Sequence, residues 1–293
     1  MKSKNITRRN FVEKTILAAT GLAMISASKK SQWQTGCFTR PWAQFDYREA
    51  FDGISAAGFR YVGLMSSKTG IIISKDTTIE QARKVYDEAK SRGLGILSVY
   101  GGNFDAEKSV QDGIAGLKKL IDNTAICGCP NLLLLGAETR EIEKNYYKAV
   151  AECCDYALTR KVSLGVKPHG PFNPTGSDCR KLVGDIGHKN FRIWYDPGNI
   201  YYYSDGTLNP VSDAAEVDGL VAGMIIKDFR MPKDVDLTPG TGMIDFKGVL
   251  ARLKKGGFNK GPLIVECLAK GDLQFINSEA KKAYEFLNMV LSA

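Results

Sequence analysis

The strongest constraint on the fold is a pattern that recurs eight times after residue 33. Each unit begins with a short run of apolar residues, passes through a polar loop, and continues as a segment with apolar residues at three- and four-residue steps. That spacing places apolar side chains on one face of a helix. The near-continuous apolar runs are typical of strands that are covered on both faces. The sequence therefore predicts eight strands that alternate with eight helices.

Eight such units predict a single (β/α)8 barrel that spans residues 33–293. The alternative is an open, doubly wound parallel sheet. Such a sheet more often carries a glycine-rich phosphate loop after its first strand, and none is visible in this sequence. The segment 210–221, "PVSDAAEVDGLV", is one of the predicted helices. No stretch rich in Pro, Gly or Ser marks a second folded domain.

Residues 1–28 have the three-part order of an export signal: a basic stretch, an apolar stretch of about 11 residues, and small residues before Lys29. Arg8 and Arg9, followed by Phe11, resemble a twin-arginine signal, although Glu13 stands where a lysine is usual. The apolar stretch is too short to span a bilayer. We therefore expect export by the twin-arginine machinery to the periplasm or the exterior, without a stable membrane anchor.

The formal net charge of +8 overstates how basic the predicted barrel is, because half of that charge lies in the predicted export signal. Five of the 40 basic residues and one of the 32 acidic residues fall within residues 1–28, which leaves +4 on the rest of the chain. That charge is too small to indicate a nucleic-acid partner. The seven cysteines match no zinc or redox spacing, and we interpret most of them as small core residues.

Catalytic residues in such a barrel lie at the carboxyl ends of the strands. The polar and aromatic candidates at these ends are Arg40 and Trp42 after the first strand, Tyr100 and Asn103 after the third, Glu138 after the fourth, Lys167 and His169 after the fifth, Asp196 and Asn199 after the sixth, Lys227 and Asp228 after the seventh, and Glu266 after the eighth. Buried charges are costly unless they are paired, metal-bound or reactive. Lys167 also fits a structural pairing with Asp196 or Glu266, and His169 also fits a hydrogen-bonded loop histidine. His188, near a helix carboxyl end, is assigned no function.

Four stretches resemble a known family: "VKPHG", "WYDPGN", "IIKD", and residues 239–267 from "PGTGMIDF" to "IVEC". They are similar to the xylose isomerase-like TIM barrels, the sugar phosphate isomerase/epimerase relatives that include endonuclease IV. The resemblance covers essentially all of residues 33–293. It implies a barrel that acts on a small-molecule sugar and has no organic cofactor.

The resemblance also implies one divalent metal, held by a Glu, an Asp, a His and a Glu at the ends of strands five to eight. Asp196 matches the Asp and Glu266 matches the last Glu, but Lys167 holds the first Glu position and Ile225 the His position. Two interpretations stay open. Lys167 replaces the charge of the metal, or a metal (Mn²⁺, Mg²⁺ or Zn²⁺) binds through His169, Asp196 and Glu266 with Lys167 turned away.

The resemblance implies proton removal next to a carbonyl, with Lys167, His169, Lys227 and Glu266 as catalytic candidates. The expected substrate-binding residues are Arg40, Trp42, Tyr100, Asn103, Glu138, Asn199 and Asp228. Export favours a non-phosphorylated sugar or sugar derivative, because phosphorylated sugars are largely cytoplasmic. The alternatives are a keto-glycoside lyase or hydrolase of the same fold and a non-catalytic sugar-binding barrel. Endonuclease IV chemistry fits poorly because it needs several histidines and the chain has two.

Overall fold

The computed structural model describes residues 32–292, so the export segment predicted for residues 1–28 lies outside the described residues. The strands of the described region are β1 (Trp33–Phe38), β2 (Tyr61–Leu64), β3 (Ser66–Ser67), β4 (Gly70–Ile71), β5 (Gly95–Tyr100), β6 (Asn131–Leu134), β7 (Ser163–Val166), β8 (Phe191–Tyr195), β9 (Val221–Ile226) and β10 (Gly261–Val265). Eight of them close into one barrel in the order β1-β10-β9-β8-β7-β6-β5-β2, and every neighbouring pair is parallel. The predicted (β/α)8 barrel is confirmed. The remaining strands, β3 and β4, form a small antiparallel hairpin after β2.

The α-helices of residues 32–292 lie between and outside the barrel strands. They are α1 (Tyr47–Ala57), α2 (Ile79–Ser91), α3 (Val110–Ile126), α4 (Arg140–Thr159), α5 (Gly176–Ile186), α6 (Pro197–Tyr203), α7 (Pro210–Asp213), α8 (Phe246–Lys255) and α9 (Leu273–Ser292). None of these helices is both long and apolar enough to cross a membrane.

Helix α1 shows how the sequence sets these elements. The Asp46 side chain accepts a hydrogen bond from the start of the helix, while Glu49 reaches back to the Asp46 amide, and together they form a capping box. Phe51 and Ile54 lie on the buried face, against the barrel. The helix ends at Gly58, whose φ of 105° is a left-handed conformation that costs glycine little.

The sixth unit differs from the prediction. Instead of one helix over residues 210–221, it has two short helices, α6 and α7, and a 3-10 turn at Ala214–Val217. Helix α6 begins directly after β8 because Asp196 accepts a hydrogen bond from the Asn199 amide and Pro197 occupies the first helical position. The residue that directly follows the sixth barrel strand therefore also caps a helix.

The barrel interior is filled by large side chains from six of the barrel strands: Phe38, Leu97, Tyr100, Leu133, Trp194, Ile225 and Ile264. Trp194 is accommodated because both neighbouring strands carry glycine beside it. A Cβ atom at Gly165 would lie 2.8 Å from the Trp194 ring, and one at Gly223 would lie 2.6 Å from it. The seven cysteines are all free and buried, which confirms their interpretation as core residues.

Candidate active site

Four charged side chains form the uppermost layer of the barrel interior. Lys167, Asp196, Lys227 and Glu266 each directly follow one of four consecutive barrel strands, β7 to β10. Side chains two residues apart on a strand face the same side, and each of the four lies two residues beyond an interior position: Gly165, Trp194, Ile225 or Ile264. The alternation that fills the barrel with apolar groups therefore carries the charges inward at its carboxyl end.

The four side chains form a closed ring of alternating charge, here called the charge ring. The Lys167 ammonium lies 2.9 Å from Asp196 Oδ2 and 2.5 Å from Glu266 Oε2. The Lys227 ammonium lies 3.2 Å from the same Asp196 Oδ2 and 2.7 Å from Glu266 Oε1. Each carboxylate thus bridges both lysines, and the four charges sum to zero.

Neighbouring polar groups complete the hydrogen bonding of the charge ring. Lys227 also donates to Asn199 Oδ1 at 3.0 Å, so all three of its N–H bonds have acceptors. Asp196 Oδ1 accepts from the Asn199 amide, and Asn199 Nδ2 donates to Pro168 O. Asn173 Nδ2 donates to the carbonyl of Lys167 and fixes the end of β7. Two asparagine side chains therefore support the ring, Asn173 from the loop after β7 and Asn199 from helix α6.

Electrostatics keep two members of the charge ring, Lys167 and Glu266, ionised. Burial acts to lower the pKa of Lys167, but the Asp196 and Glu266 carboxylates outweigh it and hold that pKa well above its ordinary value. Burial acts to raise the pKa of Glu266, but the ammonium groups of Lys167 and Lys227 outweigh it and hold that pKa well below its ordinary value. At neutral pH Lys167 is a cation and Glu266 is an anion.

The charge ring is shielded from solvent. Lys167 and Asp196 are 0% exposed, Glu266 is 3% exposed and Lys227 is 5% exposed. Tyr100 lies beside the ring, with its ring centroid 5.4 Å from the Lys167 ammonium. Burial raises the pKa of the Tyr100 phenol well above its ordinary value, so Tyr100 stays neutral.

These residues do not fit the divalent metal that the family resemblance implies. No group of three or more His, Cys, Asp or Glu side chains in residues 32–292 could hold a metal ion. Asp196 and Glu266, two of the three predicted ligands, are each bridged by two ammonium groups, and a cation between them would meet both lysines at close range. Asp196 and Glu266 therefore form a lysine-bridged pair of carboxylates, an arrangement that does not fit the predicted metal set of His169, Asp196 and Glu266.

His169, the third predicted ligand, lies at the edge of the charge ring. Its backbone pairs with Asn173, and its imidazole packs edge-on against Tyr203 with centroids 5.6 Å apart. Burial, with the nearby charges of Lys167 and Lys227, lowers the pKa of His169 to about 4. The imidazole is therefore neutral at neutral pH.

A cavity of about 320 Å³ lies over the β5 and β6 side of the barrel mouth, here called the Tyr100 cavity. Tyr100 is one of its walls, and the predicted residues Asn103 and Glu138 lie at its exposed rim. Asn103 donates to Glu107, which lines the same rim. Three of the predicted substrate-binding residues therefore do share one cavity.

A second cavity, of about 290 Å³, lies over the β1 and β10 side and is here called the Arg40 cavity. The Arg40 guanidinium contacts the Cys267 sulfur and lies 3.2 Å from Asp236 Oδ1. Cys267 directly follows Glu266, so this cavity lies next to the charge ring. Met65 and Ser66 line both cavities and form the ridge between them.

Three predicted substrate-binding residues have other positions. Trp42 is completely buried, and its indole donates to Asn277 at 2.9 Å because the 3-10 turn at Arg40–Trp42 directs it into the core. Asn199 supports the charge ring with both ends of its amide. The oxygens of Asp228 accept from four backbone amides in its own loop and in residues 240–244. These three side chains make structural contacts in the described residues and line neither cavity, and their predicted role in substrate binding stays a prediction.

Met65 and Ile71 line the Tyr100 cavity but were not predicted from the sequence. Met65 directly precedes β3 and Ile71 ends β4, whereas the predicted site residues are polar and aromatic side chains at the ends of barrel strands. The stretch "SSKTG" at residues 66–70 contains the polar and glycine residues of a turn. That turn was the available signal for an element that projects over the mouth.

Known proteins share this architecture. The family described as xylose isomerase-like TIM barrel matches residues 51–289. The structure of a xylose isomerase domain protein from Planctomyces limnophilus is 19% identical, with a TM-score of 0.67 over 88% of this chain and 97% of that one. A D-psicose 3-epimerase from Clostridium cellulolyticum H10 is 14% identical, with a TM-score of 0.70 over 88% of this chain and 99% of that one.

An L-ribulose 3-epimerase is 15% identical, with a TM-score of 0.66 over 89% of this chain and 95% of that one. No curated protein sequence matches the chain. At these identities the solved structures support the fold, while the family match spans most of the chain. The chain belongs to the xylose isomerase-like TIM barrel family.

Proposed function

We propose that this protein is a sugar isomerase/epimerase-like enzyme that removes a proton next to a carbonyl of a non-phosphorylated sugar or sugar derivative. The observation that carries the proposal is the charge ring, which places two ammonium groups and two carboxylates at the carboxyl ends of four consecutive strands. Barrel enzymes hold their catalytic groups at this end. The sugar epimerases among the similar structures support the substrate class.

In this proposal Lys167 stabilises the charge that develops on the substrate oxygen. Proton removal beside a carbonyl builds an enolate, and a fixed cation stabilises it most in a site that excludes water. Lys227 has no N–H bond left for a substrate because Asp196, Glu266 and Asn199 accept all three. Lys167 has two carboxylate acceptors and lies beside Tyr100, so it is the lysine with an N–H bond that no carboxylate or amide accepts.

Glu266 is the proposed proton acceptor, and binding would make it a stronger base. Its pKa is low because two ammonium groups contact it. When a substrate oxygen takes the place of Glu266 beside Lys167, the carboxylate loses one of these contacts and its pKa rises toward the operating pH, where general bases work best. His169, neutral and at the edge of the ring, is the second candidate for carrying the proton.

Solvent deuterium exchange tests the proposal. The wild-type protein is incubated in D2O with a panel of non-phosphorylated ketoses and keto-sugars, and loss of the signal from the hydrogen next to the carbonyl is followed by proton NMR. We expect exchange with at least one sugar. Lys167→Met should slow it by about 10²-fold or more, whereas Lys181→Met, at an exposed helix position, should not change it.

A non-catalytic sugar-binding barrel is the second candidate. It is favoured by the complete pairing and burial of the charge ring, which a purely structural ion cluster would also show. Calorimetry on the same sugar panel separates the two. Binding of a sugar without any deuterium exchange would contradict the enzyme and support the binding protein.

A further inference from the structure

The two cavities at the barrel mouth differ in chemistry although they share a wall. Met65 and Ser66 separate them, and Met65 also packs on the apolar cluster that fills the barrel. On one side Tyr100 connects the Tyr100 cavity to Lys167, and on the other Cys267 connects the Arg40 cavity to Glu266. A molecule that lies across the ridge would therefore meet a neighbour of the charge ring at each end, Tyr100 on one side and Cys267 on the other.

The Tyr100 cavity has a mostly apolar wall. Its apolar lining consists of Met65, Ile71, Phe104, Ala106, Leu135 and Ile142, with the rings of Tyr100 and Tyr146. A sugar ring carries hydroxyl groups around its edge, and an apolar wall leaves those groups without partners. The volume of about 320 Å³ exceeds the roughly 150 Å³ of an apolar cavity that holds benzene. The cavity is therefore suited to an apolar ring rather than to a hydroxylated one.

The β3–β4 hairpin places an exposed isoleucine, Ile71, at the opening of this cavity. Ile71 is 52% exposed, and a Cβ atom at Gly102 across the opening would lie 2.9 Å from its side chain. The hairpin is anchored, because the Met65 carbonyl accepts from the Ile72 amide and the Met65 amide donates to Thr39. An exposed isoleucine on an anchored hairpin supplies apolar area that a ligand in the cavity would cover.

The rim of the Tyr100 cavity disfavours anions. Glu107 and Glu138 both line it and are exposed, and neither forms a salt bridge with any residue in the described range. Two carboxylates without a salt bridge repel a negatively charged group that approaches the opening. A neutral group therefore fits this opening better than an anion.

The Arg40 cavity differs from the Tyr100 cavity by a cluster of charged side chains on its otherwise largely apolar wall. Its lining includes Arg40, Gln44, Ser66, Asp236 and Lys270. Asp236 accepts from both Arg40 and Lys270, at 3.2 and 2.6 Å, which holds donors and acceptors together at one place. Converging side chains of this kind can bind several hydroxyl groups, and the volume of about 290 Å³ is that of a small-ligand site.

We propose that the ligand of this mouth is a glycoside with a neutral apolar aglycone, whose sugar occupies the Arg40 cavity and whose aglycone occupies the Tyr100 cavity across the Met65 ridge. This inference rests on the proposed function for the presence of a sugar. It adds the aglycone, whose apolar surface would be buried in the Tyr100 cavity and would determine which glycosides bind most tightly. Ile71 and Met65 are then specificity residues that touch the aglycone.

Matched pairs of phenyl and methyl glycosides of the common hexoses test this inference by calorimetry on the full chain. We expect the phenyl member of the best pair to bind at least about 10-fold more tightly than the methyl member, because burying an aromatic ring removes apolar area from water. A 4-carboxyphenyl glycoside should lose most of that gain at the acidic rim.

Two variants locate the effect. Ile71→Ala should reduce the phenyl preference by about 3-fold or more, in line with the apolar area removed. Ile79→Ala, which changes an isoleucine of similar exposure outside both cavities, should leave it unchanged. Equal affinity for phenyl and methyl glycosides, or an equal effect of both variants, would overturn the inference while leaving a sugar site intact. Failure of every glycoside and every free sugar to bind would overturn the proposed function as well.

Discussion

At the scale of single residues, the charge ring depends on balance. Its two cations and two anions are almost completely buried, and each is compensated by the others. Removal of one member of a buried ion pair is costly because it leaves an uncompensated charge, whereas removal of both costs much less. The loss of stability caused by a single substitution in the ring therefore includes the cost of the charge left unpaired, and it does not measure the contribution of that residue alone.

A double-mutant cycle tests this dependence. Lys167→Met and Glu266→Gln should each lower the free energy of unfolding by about 3–5 kcal/mol, because each leaves a net buried charge. The double variant keeps Lys227 with Asp196 and is again neutral, so its loss should be smaller than the sum of the two by at least about 1 kcal/mol. Urea denaturation gives all four values, and simple additivity would contradict the ring.

His169 gives a prediction on pH. Its pKa in the folded protein is about 4, below the 6.5 of an ordinary histidine, so the unfolded chain binds the proton more tightly. Stability from the neutral imidazole is present above pH 6.5 and is lost as the pH falls from 6.5 toward 4. The wild-type protein should lose more stability over that interval than His169→Gln.

Imidazole NMR measures this pKa directly because the chain has two histidines. The His188→Gln variant removes the other signal, that of a surface histidine beside Asp155. The remaining resonance should titrate near pH 4. A midpoint at or above 6.5 would show that His169 is not held neutral by burial and the two lysines.

At the scale of secondary-structure elements, strand alternation explains both what the sequence could predict and what it could not. Lys167, Asp196, Lys227 and Glu266 were predicted at one mouth because each ends an apolar run. Asp228 was grouped with them, but it follows the inward-facing Lys227 and so points outward, to the amides of residues 240–244. Counting positions along β9 would have separated the two.

Long-range contacts account for other differences. Trp42 was expected to contact the substrate, yet its indole donates a hydrogen bond to Asn277, more than 200 residues away in the sequence. A contact between such distant residues cannot be predicted from a local sequence pattern. Helix α6 was missed although Asp196 followed by Pro197 is a strong helix start. The two-cavity mouth was not predicted because it depends on how the hairpin after β2 lies over the barrel.

The glycines beside Trp194 give a prediction at this scale. Gly223→Ala should lower the free energy of unfolding by about 1–3 kcal/mol, because its Cβ atom would lie 2.6 Å from the indole and overpack the barrel. Gly184→Ala is the control, since its Cβ atom meets nothing within 4 Å and helix α5 favours alanine. Denaturation of both variants measures the difference, and equal stability would contradict tight packing around Trp194.

At the scale of the whole molecule, the barrel was predictable because eight repeated units leave few alternatives.

The export of the protein stays a prediction that the sequence of residues 1–28 supports. Arg8→Lys with Arg9→Lys should keep the protein in the cytoplasm, as fractionation and immunoblotting would show. Lys2→Arg with Lys4→Arg is the matched control and should be exported. Normal export of the twin-arginine variant would exclude that route.

The central claim is that Lys167 stands in the place where the family resemblance implies a metal ligand, and that the charge ring replaces a metal site. Calorimetric titration of Mn²⁺ into the purified protein, together with elemental analysis, tests it most directly. The wild-type protein should contain no stoichiometric divalent metal and show no saturable binding at the ring. Lys167→Glu, which removes one of the two ammonium groups and adds an oxygen ligand, should bind Mn²⁺ more tightly than the wild type. A stoichiometric metal in the wild-type protein, lost on substitution of Asp196 or Glu266, would contradict the account.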